Sequence, residues 1–377
     1  MTAATEDRAS PGGGQREAWI DVVKAIAILL VVLMHAEERL TAHGLTSSGW
    51  VAVTSALATL RMPTFFLVSG LFARTSLTLP SAAFRPRKIW RFVWLYLLWS
   101  VGYIVMLMSI GAVDRDAAFV AEAHLWVVQS VTASGALWYL LALPVFFVSA
   151  RALRRIGLPA QLVGAGALSF VFSAGLVQTG QWGPDHMAED FVYFLMGCYF
   201  SPVIRSVAIR VGWPTTAVLG IAWVGLCVAL HATPWEGIGN AFLPLLAVPF
   251  TLTLAALLAR QDWSGPLIWL GRNTLPVYVM HFAPVSLLVL VARRGDVFTR
   301  GARLAVATPV LVTVASVAIV LAVRPLVARW LPWALALPAA FDAPTRTPKH
   351  RAPPRRHGAL RGPKPDGHRP RARPRHH

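Results

Sequence analysis

Residues 19–35 read WIDVVKAIAILLVVLMH: fourteen apolar residues interrupted only by Asp21, Lys24 and His35. A helix on the surface of a soluble protein confines its apolar residues to one stripe, whereas this run is apolar all round and belongs in a membrane or a large core. The three exceptions are not scattered. At 100° per residue Lys24 and His35, eleven positions apart, differ by about 20°, and Asp21 by about 40° the other way, so all three share one face. A rise of about 1.5 Å per residue separates Lys24 from His35 by about 16 Å, which puts charge near one end of a span and an imidazole near the other.

The rest of the chain agrees with a membrane reading. Of its 377 residues 56% are hydrophobic and 14% charged, with mean hydropathy +0.56, where a soluble domain carries roughly 25% charged residues. Long Leu, Val and Ala runs suit spanning helices rather than the alternating ten-residue segments of an outer-membrane barrel. A cytosolic enzyme, a disordered hub and a β-barrel are thereby excluded. The expectation is an all-α polytopic membrane protein of about ten helices in one bundle, near 19–35, 51–73, 90–110, 135–150, 158–177, 189–206, 213–231, 240–259, 266–292 and 303–323. The fourth is the weakest, because 124–135 before it is also apolar and suits an interfacial or re-entrant piece. The first segment reads as an uncleaved signal anchor.

The formal charge of +18 divides unevenly. Half of it belongs to residues 342–377, where eleven Lys and Arg face only Asp342 and Asp366, among eight prolines and no apolar periodicity. That composition predicts a disordered tail attracted to anionic lipid rather than a nucleic-acid arm. The expected layout is an N-terminal cytoplasmic segment (1–17), a transmembrane domain (18–325), an interfacial segment (326–341) and the tail. Basic residues cluster in alternate loops: Arg74, Arg85, Arg87, Lys88 and Arg91, then Arg151, Arg154 and Arg155, then Arg205 and Arg210. The intervening loops hold acids such as Glu37, Glu38, Asp185, Glu189, Asp190 and Glu236. The positive-inside rule then places both termini in the cytoplasm and the protein in the cell membrane, with Arg293, Arg294, Arg300 and Arg303 as the exception. Cys198 and Cys227 lie inside apolar runs and form no disulfide framework or metal motif, so no metal is expected.

Ionisable residues within spans are functional candidates. Arg61 lies mid-span, two residues before Pro63, where snorkelling is difficult; it calls for an anionic partner such as Asp21 or for an anionic substrate group. Ser69-Gly70 reads as a small pair for close helix packing before it reads as a nucleophile. The acids and histidine at 185–190 read as a solvated loop, with a metal or sugar hydroxyls as the sharper alternative. An Asp21, Lys24, Arg61 and His281 pathway through a transporter is the rival functional class, although no internal pseudo-symmetry supports it.

Five blocks in order resemble the membrane acyltransferase family 3: Lys24 and His35 after Asp21, the RMPTFF start of 61–70 closing on Ser69-Gly70, LWYL at 137–140, Phe194-Leu195 with Gly197, and LGRNTLPVYVMH at 270–281. The match covers roughly 18–325. It is most similar to the fucose 4-O-acetylase-like, inner-membrane acetyltransferase branch, because the Trp138 block lacks the glutamate typical of the O-antigen-acetylase branch. Lys24 stands where many members have arginine, keeping charge but losing a bidentate fork.

The resemblance implies transfer of an acyl group, acetyl by default, from cytoplasmic acyl-CoA to a hydroxyl of a sugar or of another glycan- or lipid-linked acceptor. The chemistry then assigns expected roles. His35, with an ordinary pKa of about 6.5, suits the general base. Arg61 suits either the oxyanion of the tetrahedral intermediate or a CoA phosphate. Lys24, Arg87, Lys88 and Arg91 suit the CoA phosphates, with Asp21 holding Lys24. His281 is a second acid/base or acceptor ligand, and Trp138, Tyr139, Asn273 and Tyr278 complete the expected substrate set, Trp138 and Tyr139 being equally at home in an aromatic belt.

Overall fold

A computed structural model describes residues 17–338 and 341, apart from 115–116, 209, 232 and 295–301. The expectations placed on 1–16 and on the basic tail lie outside the described residues, as does most of the anomalous arginine loop. The described chain is all-α, without a strand. Its helices are α1 (Ala18–Ala42), α2 (Gly49–Leu71), the short α3 (Arg74–Leu77) and α4 (Ser81–Arg85), then α5 (Arg91–Asp114), α6 (Ala117–Thr132), α7 (Trp138–Leu153) and α8 (Leu158–Ser173). They continue with α9 (Trp182–Ala208), α10 (Trp213–Leu230), α11 (Glu236–Leu258), α12 (Gly265–Arg272), α13 (Thr274–Met280), α14 (Phe282–Arg294) and α15 (Ala302–Trp330).

Seven of these are long and apolar enough to cross a membrane, and α13 with α14 makes an eighth if the bent pair is one span. Two further apolar helices, α7 and α8, have 16 residues each, about 24 Å, short of the roughly 20 residues that a 30 Å hydrocarbon core requires. They occupy the fourth and fifth expected spans, so up to eight of the ten expected spans are long enough by length and composition, and these two are present as shorter apolar helices. The apolar stretch before the fourth span is a helix of its own, α6.

The expected single span at 266–292 is corrected to three helices. Its breaks fall after Arg272 and after Met280, each four residues before a proline, Pro276 and Pro284. A proline has no N–H to give the carbonyl four residues back, and its ring crowds that carbonyl, so each helix ends there. The Asn273 side chain covers the first break by donating to Trp269 O at 2.7 Å, and α13 and α14 meet at a bend of 49°.

Helix α1 is the hub. Its all-round apolar surface is covered by α2, α11, α12, α14 and α15, and Val22, Val23, Ile28, Val32 and Leu40 are completely buried. It runs seven residues beyond His35, so Glu37, Glu38 and Arg39 are helical rather than loop residues. It stops in a Schellman turn: Leu45 N donates to Leu40 O at 2.9 Å and Gly44 N to Thr41 O at 3.0 Å. Gly44 takes φ +67, a left-handed conformation that needs no Cβ.

Helices α2 and α9 cross with their backbones in near contact. A Cβ on Gly70 would meet Phe194 O at 2.2 Å and one on Gly197 would meet Leu67 O at 2.1 Å, so the small pair at 69–70 serves close packing as expected. Around that crossing Phe66 packs on Phe146 and Tyr139 with ring centroids 4.7 and 4.9 Å apart, offset contacts that add about 0.5–1.5 kcal/mol each beyond area burial. At the C-terminal end the chain returns to α5, where the indoles of Trp94 and Trp99 donate to Trp333 O and Ala334 O, both at 2.8 Å.

Candidate active site

The N-terminal end of α1 holds a closed charge network. Asp21 is 1% exposed and accepts from Lys24 Nζ and Arg272 Nε, each at 3.2 Å. Gly271 makes this possible, because a Cβ there would meet the Asp21 carbonyl oxygen at 1.8 Å. The Lys24 ammonium also lies 5.2 Å from the Phe72 ring centroid. Asp21 therefore holds Lys24, as the sequence suggested, and its second partner is Arg272 rather than Arg61.

At the other end of α1, a cavity of about 950 Å³ is lined by His35, Arg61, Trp138 and Tyr278 of the expected set. His35 Nδ1 lies 2.9 Å from Glu38 Oε2, one helical turn on. With Nδ1–H donated to that carboxylate, the lone pair rests on Nε2, the arrangement a base needs. His281 stacks against the His35 ring at 5.2 Å and 28°. It is fully buried, does not line the cavity, and directs Nδ1 at Tyr278 O, 2.7 Å away. The histidine pair is thus brought together, with His35 towards the cavity and His281 behind it.

Arg61 is 6% exposed. Its Nε and Nη1 have no hydrogen-bond partner among the described residues, and Glu38 and Asp190 are the carboxylates close enough to act on it electrostatically. Burying a charge without partners is expensive. A guanidinium held this way at a cavity wall is a site for an anion, or for an oxygen on which negative charge develops.

Sequence reasoning missed two features of this cavity. Glu38 was read as a loop residue, although its i, i+3 spacing from His35 was visible once α1 was extended. The acids and histidine at 185–190, expected as a solvated loop with sugar hydroxyls or a metal as the sharper alternative, lie instead in the first turns of α9. Trp182, His186, Glu189 and Asp190 recur at i, i+4, i+7 and i+8, the signature of one helix face, and all four line the cavity. His186 stacks on Trp182 at 4.0 Å, and Trp138 meets Trp182 edge-on at 5.3 Å. Asp190 is 4% exposed. Among the described residues no three His, Cys, Asp or Glu side chains converge as metal ligands.

The remaining expected residues stand apart from this cavity. Tyr139 is buried and bonds Ser69 Oγ at 2.5 Å. Asn273 caps the first helix break described above. Lys88 lies over the Phe147 ring at 4.7 Å, and Arg91 opens α5 on the surface; the Arg87 side chain lies outside what is described. A second cavity of about 500 Å³ is lined instead by Arg85, Arg151, Arg154 and Arg155 with Ser81, and Arg151 is anchored there by donating to Leu79 O at 2.7 Å.

The sequence blocks that meet in these contacts lie within a stretch, residues 17–327, that matches the family model described as an acyltransferase domain, acyltransferase 3. The chain belongs to the acyltransferase 3 family of membrane proteins. This acyltransferase is also 27% identical over 298 residues to "Inner membrane protein YcfT" of Escherichia coli (strain K12), an alignment covering 73% of this chain and 82% of that one. No solved structure matches it. The blocks are each other's neighbours: that of Arg61 packs on that of Gly197 through paired glycines, and that of Gly271 on Asp21.

Proposed function

We propose that this acyltransferase moves an acyl group, acetyl in the first instance, from cytoplasmic acyl-CoA to a hydroxyl of a sugar or of another glycan- or lipid-linked acceptor. The observation that carries the reading is the buried Arg61, whose Nε and Nη1 have no hydrogen-bond partner among the described residues, on the same cavity as His35, whose Nδ1 is engaged by Glu38. The acceptor hydroxyl gives its proton to His35 Nε2 as its oxygen attacks the thioester carbonyl. Arg61 stabilises the oxyanion of the tetrahedral intermediate. Collapse breaks the C–S bond, and the CoA sulfur leaves with the proton from His35 as the ester forms. Glu38 fixes the imidazole tautomer and offsets the charge it gains. The aromatic wall of Trp138, Trp182 and His186 beside Glu189 and Asp190 suits a sugar ring, offering stacking faces and acceptors for its hydroxyls.

Arg85, Arg154 and Arg155, which line the second cavity, serve the phosphates of CoA at the opposite end, while Lys24 stays paired with Asp21. The alternate distribution of basic loops supports that end, and both termini, as cytoplasmic, and the inner-membrane relative supports the cell membrane as location. A transporter pathway through Asp21, Lys24, Arg61 and His281 finds less support, because Asp21 is paired with both Lys24 and Arg272 and His281 is sealed from the cavity. The test uses membranes carrying the protein and radiolabelled acetyl-CoA. Label should enter a glycan or lipid with wild type and not with His35→Ala at equal protein level; equal labelling would remove His35 as the base.

A further inference from the structure

The cavity around His35 and Arg61 has two walls of opposite character. One is the polar and aromatic face of α9. The other includes Val51 and Val53 of α2 and Trp223, Val224 and Val228 of α10. The two helices are tied at depth, where Trp223 Nε1 donates to Thr59 Oγ1 at 3.0 Å. From that bond towards the first turn of α2 and the last turn of α10 the lining valines are accessible: Val51 is 46% exposed, Val53 45%, Val224 50% and Val228 72%. The same side chains thus line the cavity and stand on the surface of two helices long and apolar enough to cross a membrane. In a bilayer, that surface is met by lipid.

We infer that the cavity opens sideways into the bilayer between α2 and α10, and that the acceptor is an amphipathic, lipid-anchored molecule. Its hydroxyl-bearing head lies against α9 and Arg61, and its hydrocarbon chain lies between the valines of α2 and α10. This rests on the acyl-transfer reading and narrows its acceptor. The physical case is the continuity of the two walls. A water-soluble acceptor gains nothing from valines facing hydrocarbon, whereas an anchored one needs an apolar path from the bilayer to the polar pocket. That path needs no affinity of its own, because lipid chains and aliphatic side chains are about equally apolar and the chain moves between like environments. It has only to be open; His231 and Glu236 line the cavity past the end of α10, beyond the valines.

The test uses membranes with the full-length protein, radiolabelled acetyl-CoA and butanol–water partition of the product. Wild type should place label in the butanol phase. Val53→Trp with Val228→Trp, which fills the gap, should lower that label at least tenfold at equal protein level. Val218→Trp, a 65% exposed position on α10 that does not line the cavity, should keep the label. Label confined to the aqueous phase, label indifferent to the tryptophan pair, or equal loss in Val218→Trp overturns the lateral entry. Absence of label with wild type, or label independent of His35, counts against acyl transfer itself.

Discussion

At the N-terminal end of α1, Asp21 is buried between two cations at 3.2 Å each; at the C-terminal end, Arg61 is buried with two nitrogens unpaired. Both regions bury charge within helices long and apolar enough to cross a membrane. The first resolves the cost internally, which makes it part of the fold: it pins α12 against α1 through the gap left by Gly271. The second leaves the cost standing, beside a cavity and a histidine already oriented by Glu38. Satisfied charges hold helices together, and an unsatisfied one waits for a ligand.

The sharpest way to break that contrast is at His35. Its replacement by alanine should lower transfer about 10²–10⁴-fold, the range general-base catalysis supplies, with the detergent-solubilised protein melting as wild type does. Arg61→Ala should lower kcat about 10²–10³-fold, as loss of an oxyanion donor does, while Arg61→Lys retains part of it. Glu38→Gln keeps the shape and a hydrogen bond but not the charge; transfer should fall about tenfold, mostly in kcat, in line with the 1.5–3 kcal/mol scale of a charge-assisted bond, reduced because Glu38 is half exposed. At the closed end the effect should move from rate to stability. Asp21→Asn should destabilise the protein by about 1–3 kcal/mol, measured as a lower melting temperature, with transfer in the surviving fraction changed less than by any substitution at the cavity.

Much of this contrast was legible in the sequence. The polar face of Asp21, Lys24 and His35 follows from helical spacing alone, and Arg61 stood out by depth. Three things were not legible, each for a physical reason. Where α1 ends depends on the Schellman turn at Gly44, so Glu38 was assigned to a loop when it is one turn from His35. Where α9 begins depends on how its first turns pack: Gly183 comes so close to Ala133 that a Cβ would meet Ala133 O at 2.1 Å, and without that contact the acids at 185–190 look like surface. The pairing of Asp21 with Arg272, 251 positions away, is set by tertiary contact and leaves no local trace. The breaks in the 266–292 segment, by contrast, were written in Pro276 and Pro284 and went unread because the run is apolar enough to pass for one helix.

The most direct test of the central claim is the paired measurement of melting temperature and acetyl transfer for Arg61→Leu. An apolar side chain, shorter than that of arginine, removes the charge from a site where two guanidinium nitrogens have no hydrogen-bond partner among the described residues. If Arg61 is held for a ligand, melting stays the same or rises while transfer is lost. A lowered melting temperature with transfer retained would show that Arg61, like Asp21, belongs to the framework and that the cavity draws its chemistry from elsewhere.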